Sequence, residues 1–220
     1  MPNSRGSRLS SPRRQAQARL TVRRNPHSSR IELTSTDTAF GLFVGLGLSA
    51  AAGLRLFVPL LVASAASLSG DLELADGFEW IGTTPALLGF AAAAFLEIGA
   101  YLIPLLDNLL DALAAPAAAV AGTILTASSI VDMSDWLRWS LAIVAGGGIA
   151  GTVQLFTTAT RLTSTATTGG LANPAVSTAE AGGAAGVSIL AIAAPIRGIV
   201  LAFLLVLLAA RTLGRRRRRL

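Results

Sequence analysis

Five apolar stretches dominate this chain, and each is long enough to cross a bilayer. They run roughly from 38 to 66, 86 to 106, 114 to 132, 139 to 160 and 184 to 210, where about 20 apolar residues rising about 1.5 Å each cover a hydrocarbon core of about 30 Å. Backbone N–H and C=O groups in lipid must find partners within the segment, so such stretches become helices. The expected fold is all-α, a polytopic transmembrane helix bundle of five or six spans. The remaining composition agrees: 52% of the residues are hydrophobic and 14% charged, against about a quarter charged in soluble domains. With no Cys and a single His in the N-terminal tail, thiolate metal sites, disulfide frameworks and a Ser-His-Asp triad in the core are excluded. No cofactor is implied.

The formal charge of +6 belongs to the ends of the chain. All 18 basic residues are Arg; eight fall between Arg5 and Arg30, six between Arg211 and Arg219, and only Arg55, Arg138, Arg161 and Arg197 lie between. Flanking an apolar body, such runs suit anionic lipid headgroups and cytoplasmic retention rather than nucleic acid. Residues 1–36 lack any apolar run and are expected as a disordered Arg/Ser-rich tail. Residues 37–210 are expected as the transmembrane domain and 211–220 as an Arg-rich cytoplasmic tail, in a multi-pass protein of the cell membrane.

Two connectors carry the acids. One holds Asp71, Glu73, Asp76 and Glu79 without a basic residue, and the other holds Asp132, Asp135 and Arg138. Trp80, Trp136 and Trp139 sit beside the same two connectors, as indoles do at a headgroup interface. Five crossings would place the two Arg-rich tails on opposite sides, so either 161–183 adds a sixth, broken crossing or one tail defies the positive-inside bias. The segment Gly47 to Phe57 also matches Gly146 to Phe156 at an offset of 99. In the five-stretch reading they are three steps apart in the order of crossings, so the copies would be antiparallel, as in inverted-repeat transporters.

Charges inside an apolar segment cost about 2.5–3.5 kcal/mol each on insertion scales and are expected to be paired or to face a cavity. Arg55 and Glu97 lie at matching depths of the first two stretches, which predicts an ion pair between them. Glu97, Tyr101, Pro104, Asn108 and Asp111 follow spacings of four, three, four and three, which predicts one polar stripe on a helix kinked at Pro104. Asp107 lies beside that stripe. Arg197, midway along the last stretch, needs a partner such as Glu180, Asp107, Asp111 or a bound anion. Gly41 and Gly45, like Gly147 and Gly151, form Gly-x-x-x-Gly steps suited to close helix packing or to a homo-oligomer seam through Gly147 and Gly151. The run Thr157 to Ser164 supplies hydroxyls that bond back to the helix or line a path.

Three of these segments together resemble the bacterial membrane proteins grouped as domain of unknown function 4126. They are Gly45 to Arg55, then Glu97 through Tyr101 and Pro104 to Asp107, Asn108 and Asp111, then Asn173-Pro174 with Ser177 and Glu180. The resemblance covers about 40–210 and implies a polytopic membrane domain without an assigned activity or catalytic residues. From the residues, the expected function is a small transporter or channel for an ion or small anion. The pathway residues would be Arg55, Glu97, Tyr101, Asp107, Asn108, Asp111, Glu180 and Arg197. The alternative is a non-transporting membrane scaffold or oligomerisation protein. A lipid-modifying enzyme using Glu97, Asp107 and Asp111 on Mg²⁺ lacks any nucleophile-base pair, so no enzyme is expected.

Overall fold

The computed structural model describes residues 26–100, 104–195, 197, 200 and 204, with side chains from residue 38 onward except 101–112. Met1–Thr36 form a unit separate from Asp37–Leu220, and the account below concerns the second. Among the described residues every regular element is helical. These elements are α1 (Pro26–Ala52), α2 (Phe57–Ser69), a short 3₁₀ turn (Glu79–Gly82), α3 (Thr84–Ala100), α4 (Pro104–Ser129), α5 (Asp135–Leu141), a wide π-type stretch (Ala142–Gly147), α6 (Gly148–Thr168) and α7 (Asn173–Ala193). Helix α1 begins at Pro26, inside the stretch expected as tail, and residues 1–25 lie outside the described residues.

The first apolar stretch is not one rod. It is a hairpin. Helix α1 stops at Ala52, the chain turns through Gly53–Leu56, and α2 starts at Phe57. Packing fixes the directions. Gly45 of α1 lies against Thr126 of α4, and the Ser49 hydroxyl donates to the Gly122 carbonyl at 2.7 Å, so α1 runs antiparallel to α4. Phe40, Gly41 and Val44 near the start of this unit share a cavity wall with Gly70–Glu73 at the far end of α2. The two arms therefore run in opposite directions. Pro59 is accommodated because it falls in the first turn of α2, where its missing N–H has no intrahelical acceptor. Gly70 closes α2 with φ 84°, and its N–H and that of Asp71 bond back to Ser67 and Ala66 carbonyls, a left-handed cap that a Cβ would strain.

Helix α3 returns alongside α2, and α4 climbs back to the same end, where the Ala75 N–H donates to the Ser128 carbonyl at 2.8 Å. Pro104 is the first described residue of α4, and the kink expected at Pro104 falls beside residues 101–103, which lie outside the described residues. The proposed single stripe is divided: Glu97 belongs to α3, while Asp107, Asn108 and Asp111 belong to the backbone of α4. Residues 107–113, which lie between the second and third apolar stretches, are helical, and α4 continues through Pro116.

From Asp135 the chain descends through α5, the π stretch and α6, a continuous helical rod of 34 residues. Gly122 and Ala150 meet, as do Gly147 and Ala119 or Thr123, so this rod is antiparallel to α4. It consequently runs parallel to α1, and the two matched segments around Gly53 and Gly151 point the same way. The expected inverted arrangement is overturned because the hairpin adds one pass to the count. Residues 161–168 complete α6, Gly169 and Gly170 turn the chain with positive φ, and Asn173-Pro174 opens α7. The region 161–183 is thus the end of one helix and the start of another, not a broken crossing of its own. Helix α7 ends at Ala193, and Ala194 leaves helical geometry at φ −153°, ψ 74°, which divides the stretch expected to run from 184 to 210.

Small residues let these helices touch backbone to backbone. A Cβ on Gly45 would lie 2.8 Å from Thr126 Cα, and one on Gly147 would lie 2.7 Å from Thr123 Oγ1. Both Gly-x-x-x-Gly steps therefore pack within the chain. Between them lies a core of Leu48, Ala52, Leu60, Ala63, Leu125, Ala150 and Ala191. Several large apolar side chains face outward, among them Phe95, Val144, Leu155, Val120 and Leu88. Among the described residues two helices, Asp135–Thr168 and Asn173–Ala193, are long and apolar enough to cross a membrane, and the other apolar helices there are shorter.

Candidate functional site

The turn at Gly53–Leu56 sits well inside the molecule. Gly53 packs on the Ala150 carbonyl and Val153, roughly 27 Å along the rod from Asp135 at about 1.5 Å per residue. Backbone groups stranded there need partners, and each N–H has one. Gly53 donates to Ser49, and Leu54 and Arg55 donate to Ala51. The next two N–H groups, at the start of α2, go to a side chain: Leu56 donates to Glu97 Oε1 at 2.9 Å and Phe57 to Glu97 Oε2 at 3.1 Å. Glu97 is an N-cap supplied by another helix, with its charge against the positive end of α2.

The expected Arg55–Glu97 ion pair is therefore replaced by a different pairing. Glu97 reaches the backbone next to Arg55, and the Arg55 guanidinium turns to α7. Its Nη2 donates to the Ser177 carbonyl at 3.1 Å and to the Ser177 hydroxyl, and lies 3.2 Å from Glu180 Oε2. Arg161 of α6 grips the same carboxylate with Nε on Oε1 at 3.3 Å and Nη2 on Oε2. Arg55 is 1% exposed, Arg161 2% and Glu180 8%, and both arginines make further interactions. Each guanidinium meets the Glu180 carboxylate, as a deeply buried charge requires a partner, and that one negative charge is shared by two positive ones. Ser177 and Glu180 stand three residues apart on one face of α7, and Gln154, Thr157 and Arg161 follow spacings of three and four on α6, all three buried.

Of the residues expected to form a pathway, the structure brings Arg55, Glu97 and Glu180 to this turn. Glu180 serves Arg55 and Arg161, not Arg197, which is exposed beyond the break at Ala194. Tyr101 and the side chains of Asp107, Asn108 and Asp111 lie outside the described residues. Arg161 was missed because it stood in a run read only for its hydroxyls, as bonding back to the helix or lining a path; its spacing of three and four with Gln154 and Thr157 along one helical face was the available signal.

A cavity of about 430 Å³ adjoins the turn, with Leu56, Phe57, Glu97 and Gln154 in its wall. At the other end of the molecule Asp76, Asp132, Asp135 and Arg138 border a second cavity of about 470 Å³, and Arg138 pairs with Asp135 one helical turn away. The two acid-bearing connectors therefore share one end, where Phe78 pairs with Trp139 and Trp80 with Phe90 at ring-centroid distances of 5.9 and 6.1 Å.

A family model described as Domain of unknown function (DUF4126) matches residues 42–215. The chain belongs to this family. The matched span contains the whole α1–α2 turn and its partners, so in this DUF4126 protein the buried charges lie within the family domain rather than in an appended segment. No curated protein and no solved structure matches the chain.

Proposed function

We propose that this DUF4126 protein is a multi-pass protein of the cell membrane that conducts or carries an ion, with the Gly53–Leu56 turn on its pathway. The observation that carries the reading is the convergence of Arg55, Glu97, Arg161 and Glu180, from the turn and three other helices, on a helix break in the interior. Interrupted helices lined by ionisable groups are how membrane carriers present a site to solute at depth. The membrane setting is supported by the two long apolar helices and by exposed large apolar side chains such as Phe95 and Val144. The Trp-bearing end supports a headgroup boundary. The wider hairpin of α1 and α2 enters and returns on one side of this arrangement.

The test is gradient-driven flux in liposomes containing the purified chain, scanned over alkali cations, protons, halides and small organic ions. Flux that is abolished by Glu97→Gln, with the protein still folded and inserted, supports the reading. If no ion moves and each neutralised charge changes only the melting temperature, the charges serve folding and the reading falls to the scaffold alternative. Protease or reporter access at both tails fixes the number of crossings.

A further inference from the structure

The cavity beside the turn has a composition that selects a ligand class. Its wall is hydrocarbon from Leu56, Phe57, Leu96 and Ala117, interrupted by Glu97 and Gln154. Leu96 and Leu113, which also border it, are largely exposed, so the mouth opens on the apolar outer surface rather than on the acidic end. Gln154 is 4% exposed, and its amide nitrogen donates to the Thr158 hydroxyl at 3.3 Å. An apolar pocket with a few fixed polar groups is the usual form of a small-molecule site.

Glu97 has acceptor capacity beyond its cap. A carboxylate offers about four lone-pair sites, and α2 takes one on each oxygen. The remaining sites belong to a group that lines the cavity. An anion entering there would meet like charge in a poorly screened setting. A small inorganic cation would meet hydrocarbon in place of the several oxygens needed to replace its water. A molecule with an ammonium head and an apolar body matches both surfaces: the head donates to Glu97 in a charge-assisted bond, and the body replaces water along Phe57 and Leu96. We propose that this cavity binds organic ammonium compounds with an apolar body, with Glu97 as the head-group ligand. This names the substrate class for the pathway proposed above and rests on that reading only for transport, not for binding.

The experiment uses three probes with one carbon skeleton: 4-phenylbutylammonium, 4-phenylbutanol and 4-phenylbutyrate, titrated calorimetrically into the full chain in nanodiscs of neutral lipid, with empty nanodiscs subtracted. The ammonium binds at least about tenfold more tightly than the alcohol, as one charge-assisted hydrogen bond implies, and the butyrate binds weakest. Glu97→Gln removes the preference for ammonium and leaves the alcohol within about twofold, while Ala117→Phe, which fills the pocket, weakens both. Equal saturable binding of all three probes, or tightest binding of butyrate, overturns the proposal, as does an ammonium preference that survives Glu97→Gln. The head-group comparison on the unaltered chain stands even if a variant fails to fold. Glu97-dependent ammonium binding without flux in liposomes keeps this site and sinks the transport reading; flux of another ion without ammonium binding does the opposite.

Discussion

The two ends of the charged inventory behave differently although they use the same residue types. Around the turn, Arg55, Arg161 and Glu180 are almost wholly buried, come from separate segments and are paired across 19 to 125 residues of sequence. At the other end, Asp71, Glu73, Asp76, Glu79 and Asp135 are exposed, and their bonds are local: Ser69 donates to Asp71, Gly77 to Glu79 and Arg138 to Asp135. Water decides the difference. A solvated carboxylate needs no partner, so its neighbours in sequence suffice; a buried one must be met by groups that only the fold can bring to it.

That contrast predicts a graded response to substitution. The largest effect belongs to Glu180→Gln, which leaves two buried guanidiniums facing each other without their shared carboxylate. Breaking a buried pair in this way costs about 3–5 kcal/mol, read as a large drop in the melting temperature of the purified chain. Arg55→Met combined with Glu180→Gln should be less damaging than the sum of the single changes, with a coupling of about 0.5–3 kcal/mol; strict additivity would show that the two do not act as a pair.

Gly45→Leu comes next, because Thr126 backbone lies where its Cβ must go, and overpacking of this kind costs about 1–3 kcal/mol. The comparison sharpens if Gly89→Leu, whose Cβ meets nothing within 4 Å, is tolerated in the same assay. Smaller still is Glu97→Ala, which removes the cap from α2 and should cost about 0.5–2 kcal/mol. Amide exchange would then rise at Leu56 and Phe57 before it rises elsewhere in α2.

The smallest effect lies on the exposed end. Hydrogen bonds from its own backbone N–H and from that of Gly77 hold the Glu79 carboxyl below its ordinary value of 4.5. A depressed folded-state pKa stabilises the fold above the unfolded value and is lost as pH falls through the folded one. Glu79→Gln should therefore lower stability slightly near neutral pH, and the gap to the unaltered chain should close in acid. A gap that widens in acid would reverse the sign of this assignment.

Parts of this arrangement were legible residue by residue. Arg55 and Glu97 stood out because an ionisable group in an apolar run demands an explanation, Glu180 entered as one candidate partner for Arg197, and the Trp and acid positions marked a single end. The turn was not legible. Residues 38–66 read as one hydrophobic rod because hydropathy reports whether a residue prefers lipid or protein to water and is silent about direction. Gly53 is the local sign of the reversal, yet glycine is equally at home in helix packing, as Gly45 and Gly147 demonstrate. Missing the reversal changed the parity, inverted the relation between the two matched segments and assigned Arg55 to the wrong carboxylate.

By itself the sequence determined that the chain is helical, apolar on its outside and obliged to pair a few deep charges, because these follow from the transfer energies of side chains and backbone groups taken one at a time. Tertiary structure alone decided which charges meet. Glu180 lies 125 residues from Arg55 and 19 from Arg161, and a Coulomb interaction depends on distance in space, which is set only when close-packed glycines and serines fix the depth at which each helix stands beside the next.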